Sequence, residues 1–530
     1  MSLKTNYFFP FLLILGISNL AFTKTVFPEG TKQLQPDSTT LCDILFYPEG
    51  GYPCTGVESC DSLHKFYIRV GSDKEKVYLG MRSSYFQDDI VFRIKLGQTV
   101  VFGPVTITSG SIGWIDYYSQ AYAGPDIISP SGYHAIVFEP GAPGDYSIDF
   151  DPVAITILDV TVIDTTAVPR VAIDGRLYTR QWQFTTSSIS SPAAKFLATQ
   201  YILTDDSIVT SIYYNEMRGH HFDVTSTRNG CYPSPVPWDS SCRSIPGNHH
   251  YAQYRIFVND PDSVEFPTGV LGMINESTIT VVPQCDGSVS VSFSVNKPGS
   301  VRINFEIDPS PGIQPVDVSI LDSVKAGSNT IVWNGMDGLG NPVPANTEVT
   351  IGLTYVNGLT NIALYDVERH LKGFLIRQRR PYADSIATYW NDTLLQHKGG
   401  VLQLSGCYPT PPDSGCHAWD GDYLGVGLGS VNTVNTWWYA TSSSLNLSPA
   451  VIQRPPDSVE NILGVTTVCN SGVATYSVFP DSVPGADPDG YEWVMVDVAT
   501  GLTEFDSSGQ CSIFTINFSG IPPWQKYLKV

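Results

Sequence analysis

A chain of 530 residues is long enough for about three to five domains, each able to bury a core of its own. Acidic residues outnumber basic ones 51 to 30, a formal net charge of −21. No basic cluster offsets that charge locally, so the surface repels phosphate and anionic lipid and the chain is not expected to bind nucleic acid. Only 15% of residues are charged, whereas 46 glycines, 38 prolines, 28 tyrosines and many Ser, Thr and Val favour strands and turns. The expected fold class is all-β: several tandem antiparallel β-sandwich domains, jelly-roll-like and Ig-like.

Near the start, one lysine precedes an apolar run from Tyr7 to Ile17, too short to span a bilayer and followed by small and polar residues. Residues 1–24 therefore read as a secretory signal peptide, which places the mature chain at the cell surface or outside the cell. No later stretch reaches the roughly 18 apolar residues a transmembrane helix needs.

Residues 25–170 are expected to form an N-terminal β-sandwich domain. Ile90, Phe92, Ile94 and Leu96 alternate before Gly97-Gln98, and Thr99 to Phe102 returns; Tyr133 to Phe138 and Tyr146 to Phe150 flank Pro140-Gly141-Ala142-Pro143-Gly144, which predicts a second hairpin. A second β domain follows over 171–275, its strongest strands around Ile208 to Tyr214 and Tyr254 to Val258. Between Val289 and Ile307, two period-2 apolar runs joined by Pro298-Gly299 predict a further hairpin, and Val349, Ile351, Leu353 and Tyr355 alternate again.

The stretch Asn329-Thr330-Ile331-Val332-Trp333-Asn334-Gly335-Met336-Asp337-Gly338-Leu339-Gly340-Asn341-Pro342-Val343-Pro344 resembles the signature of hook-capping-type immunoglobulin-like repeats of large secreted Bacteroidetes proteins. The resemblance implies an Ig-like domain over 276–376 and brings no chemistry with it. Residues 377–455 read as a Gly- and Trp-rich β extension ending in the Pro455-Pro456 linker. From Ser458 onward, Val468-Cys469-Asn470-Ser471-Gly472, Val483-Pro484-Gly485-Ala486, Tyr491-Glu492-Trp493 and Ile516-Asn517-Phe518 look like the PKD-like domain of gliding-motility-associated surface proteins, over 456–530. More broadly, the mature chain is similar to the N-terminal region of such proteins, whose longer forms end in a type 9 secretion sorting domain. That domain is not found before Val530.

Ten cysteines in an exported chain should be mostly paired. Cys231 with Cys242, and Cys407 with Cys416, read as short stapled loops; the partners of the other six, Cys42, Cys54, Cys60, Cys469 and Cys511 among them, stay open.

The motifs of common enzymes are missing. There is no H-E-x-x-H, Ser109-Gly110-Ser111-Ile112-Gly113 has the wrong frame for a nucleophile elbow, and Gly425-Val426-Gly427-Leu428-Gly429 lacks a βαβ setting. His220-His221 and His249-His250, flanking Cys231 and Cys242, are a conceivable zinc set, although adjacent strand residues face opposite ways. Asp337, Asn341, Asp420 and Asp422 place oxygen ligands in loops and are the candidates for structural calcium; no other cofactor is expected. The same residue types also serve turns. Trp419, Trp437, Trp438 and Tyr439 are candidate sugar-stacking aromatics, with strand alternation putting Trp437 and Tyr439 on one face and Trp438 on the other.

These readings converge on a non-enzymatic secreted or cell-surface protein acting in adhesion or surface scaffolding, with an extracellular protein or polysaccharide as partner. The alternative is a carbohydrate-binding surface protein.

Overall fold

The computed structural model describes residues 28–36, 42–46, 65–84, 89–186, 195–231, 242–249, 251–284, 286–383, 386–395, 401–410, 414–421 and 427–453, together with six strands between 459 and 529. The fold is almost entirely antiparallel β. Among the described residues, the first of two long sheets runs, neighbour by neighbour, 402–407, 388–391, 432–446, 348–365, 221–227, 181–186, 42–46, 153–164, 75–83 and 136–138. The second runs 375–380, 209–213, 199–203, 255–257, 177–179, 65–70, 144–150, 90–96 and 99–107.

One apolar core lies between them, taking Ile68, Phe92 and Ile148 from the second sheet and Leu79, Val160, Phe184, Leu364 and Trp438 from the first. That core draws on residues from Leu34 to Trp438, so the boundary expected near residue 170 does not separate two cores. The Val153–Asp164 strand is buried along nearly its whole length because both of its faces are covered. Val160 and Val162 enter the main core, while Ile157 and Ile163 join a smaller cluster with Tyr133 on the opposite face.

The hairpin expected around Gly97-Gln98 is present, with Leu96 opposite Thr99. Two others are not. Ile136–Phe138 pairs with Glu75–Ser83 in the first sheet, whereas Gly144–Phe150 pairs with Lys65–Val70 and Ile90–Leu96 in the second. Likewise Val289–Val295 pairs with Ile274–Pro283 and Gly327–Trp333, while Gly299–Glu306 pairs with Val318–Val324 and Glu348–Tyr365. In both cases the Pro- and Gly-containing link crosses from one sheet to the facing one. Alternation is satisfied equally by a hairpin and by such an arch, because either points the same residues at one core.

The arch encloses a second core of Val291, Phe293, Ile303, Phe305, Trp333 and Tyr355. Trp333 is the anchor of the hook-capping-like stretch: it lies 4.6 Å from Phe305 at 27° and donates from Nε1 to the Met336 carbonyl at 2.9 Å.

The two cores are joined by one shared strand and its pairing partner. Glu348–Tyr365 and Asn432–Asn446 pair from Gly352 opposite Asn446 to Tyr365 opposite Thr433, passing from the Ig-like core into the main one. Gly358, at φ +70°, sits where they cross between cores; a Cβ there would meet the Ala440 Cβ at 2.6 Å. In the C-terminal segment, two three-stranded antiparallel sheets form, 459–463 with 473–480 and 513–517, and 503–509 with 491–497 and 526–529.

Candidate functional site

The stretch Asn435-Thr436-Trp437-Trp438-Tyr439 lies in the long Asn432–Asn446 strand, where successive side chains take opposite faces. Trp438 points into the main core, 1% exposed, and its Nε1 reaches Thr210 Oγ1 at 3.3 Å. Trp437 and Tyr439 turn the other way and line a common hollow.

The hollow forms on the outer face of the first sheet, where its long strands pass between cores. Trp437, Tyr439, Thr354 and Val356 come from those strands, Tyr389 and Leu404 from the neighbouring Thr388–Asn391 and Leu402–Cys407 strands. Arg302 and Leu321, from the Ig-like module, complete it. Its volume is about 130 Å³, and an adjoining hollow of about 260 Å³ shares Tyr389 and Tyr439 and adds Tyr408 and Thr441. Tyr389 lies against Trp437 at 6.1 Å and against Tyr439 at 5.9 Å.

Among the described residues, none of those lining either hollow is Asp or Glu. Burial raises the Tyr439 hydroxyl well above the usual tyrosine range, with Cys242 and Tyr389 adding to it and Arg302 opposing. Burial likewise raises Tyr389. The Trp437 indole N–H is near enough to the Tyr439 hydroxyl to favour its ionised form, yet among the described residues no acceptor meets it in hydrogen-bonding geometry.

The remaining expected ligand aromatics are elsewhere. Trp419 is buried in the main core, donating from Nε1 to the Val367 carbonyl at 3.0 Å. Trp419, Trp437 and Trp438 therefore do not present the exposed flat strip that stacking of a polysaccharide chain requires.

Beside Trp419 lies a buried polar string that the spacing of its members in sequence conceals. His417 Nε2 lies 2.8 Å from Asp392 Oδ2 and His417 Nδ1 2.6 Å from Thr436 Oγ1, while Ser244 Oγ donates to Asp392 Oδ1 at 2.6 Å. Hydroxyl, imidazole and carboxylate are the groups of a nucleophile–base–acid relay, but Thr436, His417 and Asp392 are each 2% exposed or less. With no solvent-accessible hydroxyl, the string ties loops to the sheet. Trp390 stacks on His417 at 4.7 Å, and burial holds the neighbouring His370 neutral, its pKa lowered to about 3.

The enzymatic reading also asks for paired carboxylates. A hollow of about 330 Å³ contains Asp205 and Glu265 with Arg180 and Arg255. Glu265 is 2.8 Å from Arg69 Nε, and Asp205 accepts from Gln253 Nε2 at 2.9 Å. A glycosidase acid needs the opposite, an apolar setting that keeps one carboxyl protonated.

Of the calcium candidates, Asp337 closes its own turn: its Oδ1 accepts the N–H groups of Asn341 and Leu339 at 2.8 and 2.9 Å, which holds its carboxyl below the usual range. Asp420 is paired with Arg369 at 2.9 Å, and Asp422 lies outside the described residues. Among the described residues, no three His, Cys, Asp or Glu side chains converge as a metal site. His220 and His221 lie ring to ring at 4.3 Å, and His250 is outside the described residues.

Cys407 and Cys416 form the expected disulfide. Cys231 and Cys242 do not: they remain buried thiols with no sulfur–sulfur bond between them. Burial, and then the neighbouring Cys242, push the Cys231 thiol up; Cys231 packs on Ile245 and Ala363 as a small apolar group.

No protein-family model matches the chain, and no curated protein matches it.

Proposed function

We propose that the chain is a non-catalytic, multidomain protein of the cell exterior that acts in adhesion or surface scaffolding. The observation that carries this reading is the strand Glu348–Tyr365, which gives side chains to both cores and is paired along its length with Asn432–Asn446. Two modules sharing a continuous strand cannot hinge freely, as modules on a flexible linker do. Such a unit transmits force and holds its outward loops at fixed spacing. The disulfide next to the Leu402–Cys407 strand and the polar, carboxylate-rich surface suit an extracellular setting. Export through the residue 1–24 signal, and membership of the Bacteroidetes type 9 secreted proteins, are part of the same proposal.

The test is cellular. Protease shaving of intact cells should release fragments of this chain, and cells lacking it should detach from surfaces at lower shear than the parent. Recovery of the chain only from cytosol, or turnover of any glycan, ester or peptide by the purified protein, overturns the reading.

A further inference from the structure

We infer that the hollow between Trp437 and Arg302 is a binding site for an amphipathic carboxylate, an aromatic or branched apolar group carrying one carboxylate. The inference goes beyond the adhesive reading and does not depend on it.

Charge is the first argument. In a chain of net charge −21, the described residues lining the two adjoining hollows include no carboxylate, and those of the first include Arg302. Several other arginines are matched, Arg69 with Glu265, Arg93 with Asp151, Arg176 with Glu75 and Arg380 with Asp260. Arg302 is exposed and forms no ion pair among the described residues. A planar guanidinium fork held at the rim of a hollow is the group that recognises a carboxylate through two parallel hydrogen bonds.

Unsatisfied polarity is the second argument. Among the described residues, the N–H of Trp437, 1% exposed, meets no acceptor in hydrogen-bonding geometry although the Tyr439 hydroxyl lies near it, and Thr441 Oγ1 in the adjoining hollow is buried with no hydrogen-bond partner. A buried donor left unpaired is costly in the empty protein, and an acceptor oxygen on a ligand removes that cost. Ser300, Thr354 and Ser442 place further hydroxyls around the same space.

The apolar half completes the ligand. Leu321 and Leu404, 54% and 52% exposed, stand at the mouth, and Val356, Tyr389 and Tyr439 line the inside. Large apolar side chains left open at the lip of a pocket mark a place where an apolar group is received. An acidic sugar offers the carboxylate without the apolar body, and a neutral sugar offers neither.

Two sources share this chemistry, a free aryl- or alkyl-carboxylic acid and the C-terminal residue of a peptide. The test follows the tryptophan indole N–H signals by NMR in the mature chain, with the Trp437 signal identified by its loss in Trp437→Phe. Probes are phenylacetate, a pentapeptide ending in Phe with a free carboxylate, the same peptide amidated, and glucuronate. The expected result is a saturable shift of the Trp437 signal with phenylacetate or the free peptide. Amidation, or Arg302→Gln, should weaken binding roughly tenfold or more, the size of one lost charged hydrogen-bonded contact.

Arg302 is exposed and unpaired, so its replacement leaves the fold intact. If Trp437→Phe does not fold, Leu404→Ala and Arg302→Gln locate the signal by its altered response. Tighter binding of the peptide than of phenylacetate assigns the site to a protein C-terminus, and the reverse order to a free acid. No shift with either carboxylate, equal affinity for the amidated peptide, unchanged affinity in Arg302→Gln, or glucuronate binding as tightly overturns the inference.

Discussion

Tyr389 and Trp437 are directly opposed across two adjacent strands, and their rings lie 6.1 Å apart and 22° from parallel. The wall of the hollow is thus set by strand register: a slip of one residue would turn Tyr389 away and bring Thr388 or Trp390 to the outer face. Aromatic cross-strand pairs contribute about 0.5–1.5 kcal/mol beyond their burial. Tyr389→Ala should therefore lower stability by about 2 kcal/mol in urea unfolding, counting its partial burial as well. A change under about 0.5 kcal/mol would mean that the ring does not hold the wall.

Because the Glu348–Tyr365 strand belongs to both cores, residues 28–453 should unfold as one unit. Leu353 is fully buried in the Ig-like core and Leu364 is 1% exposed in the main core, eleven residues on along the same strand. Each Leu→Ala change should cost about 2–5 kcal/mol. By calorimetry both variants should move the same transition. Two transitions, each responding to one variant alone, would show that the modules unfold independently.

Asp159 is fully buried with Tyr133 Oη donating to its Oδ2 at 2.5 Å and Thr161 Oγ1 at 2.8 Å. Burial raises its pKa to about 8; the two donors oppose, the nearby Glu29 adds, and Lys32 opposes. Glu29 is itself raised to about 7, chiefly by burial. A carboxyl whose folded pKa exceeds its unfolded value holds more protons when folded, so its contribution is complete below about pH 4 and is lost as pH rises toward about 8. In Asp159→Asn the amide oxygen can still accept both hydroxyls. This variant should be more stable than the parent at pH 8, and its stability should fall less between pH 5 and pH 8. Parallel pH profiles for the two proteins would refute this account.

How much of this was legible in the residues depends on the range of the signal. Alternation at Val289 to Val295 and Val301 to Ile307 identifies strands and their inner faces, because side-chain parity is local. It does not identify the strand's neighbour, so Pro298-Gly299 reads as a hairpin turn where the chain in fact changes sheet. Parity also separates Trp437 and Tyr439 from Trp438, but which face is covered depends on the second sheet, whose strands come from residues 65 to 380. The Asp392–His417–Thr436 string joins a loop, a turn and a strand with no shared period. That the described lining of the hollow holds no carboxylate is a property of assembled surfaces alone.

Thiol chemistry gives a direct check on the cysteine assignment. Cys407 and Cys416 are bonded across a separation of nine residues, whereas Cys231 and Cys242 are buried thiols. Alkylation in denaturant without reductant, followed by mass mapping, should label Cys231 and Cys242 and leave Cys407 and Cys416 unlabelled. Reducing the native protein should cost about 2–3 kcal/mol, the loop-entropy value for a short loop. Recovery of a Cys231–Cys242 crosslinked peptide would reverse the assignment.

The string around His417 should be worth more intact than its parts suggest. Removing the imidazole leaves the Asp392 carboxylate and the Thr436 hydroxyl buried without a ring to bridge them, and Ser244 alone still satisfies one carboxylate oxygen. His417→Ala should therefore lower stability by about 3 kcal/mol or more, as expected for a buried pair deprived of one partner. Asp392→Ala should cost a similar amount, for the converse reason. The two losses arise from one arrangement, so the double variant should fall short of their sum by more than about 1 kcal/mol in urea unfolding. Strict additivity would mean that His417 and Asp392 stabilise the fold through separate contacts, His417 by stacking under Trp390 and Asp392 by holding Ser244.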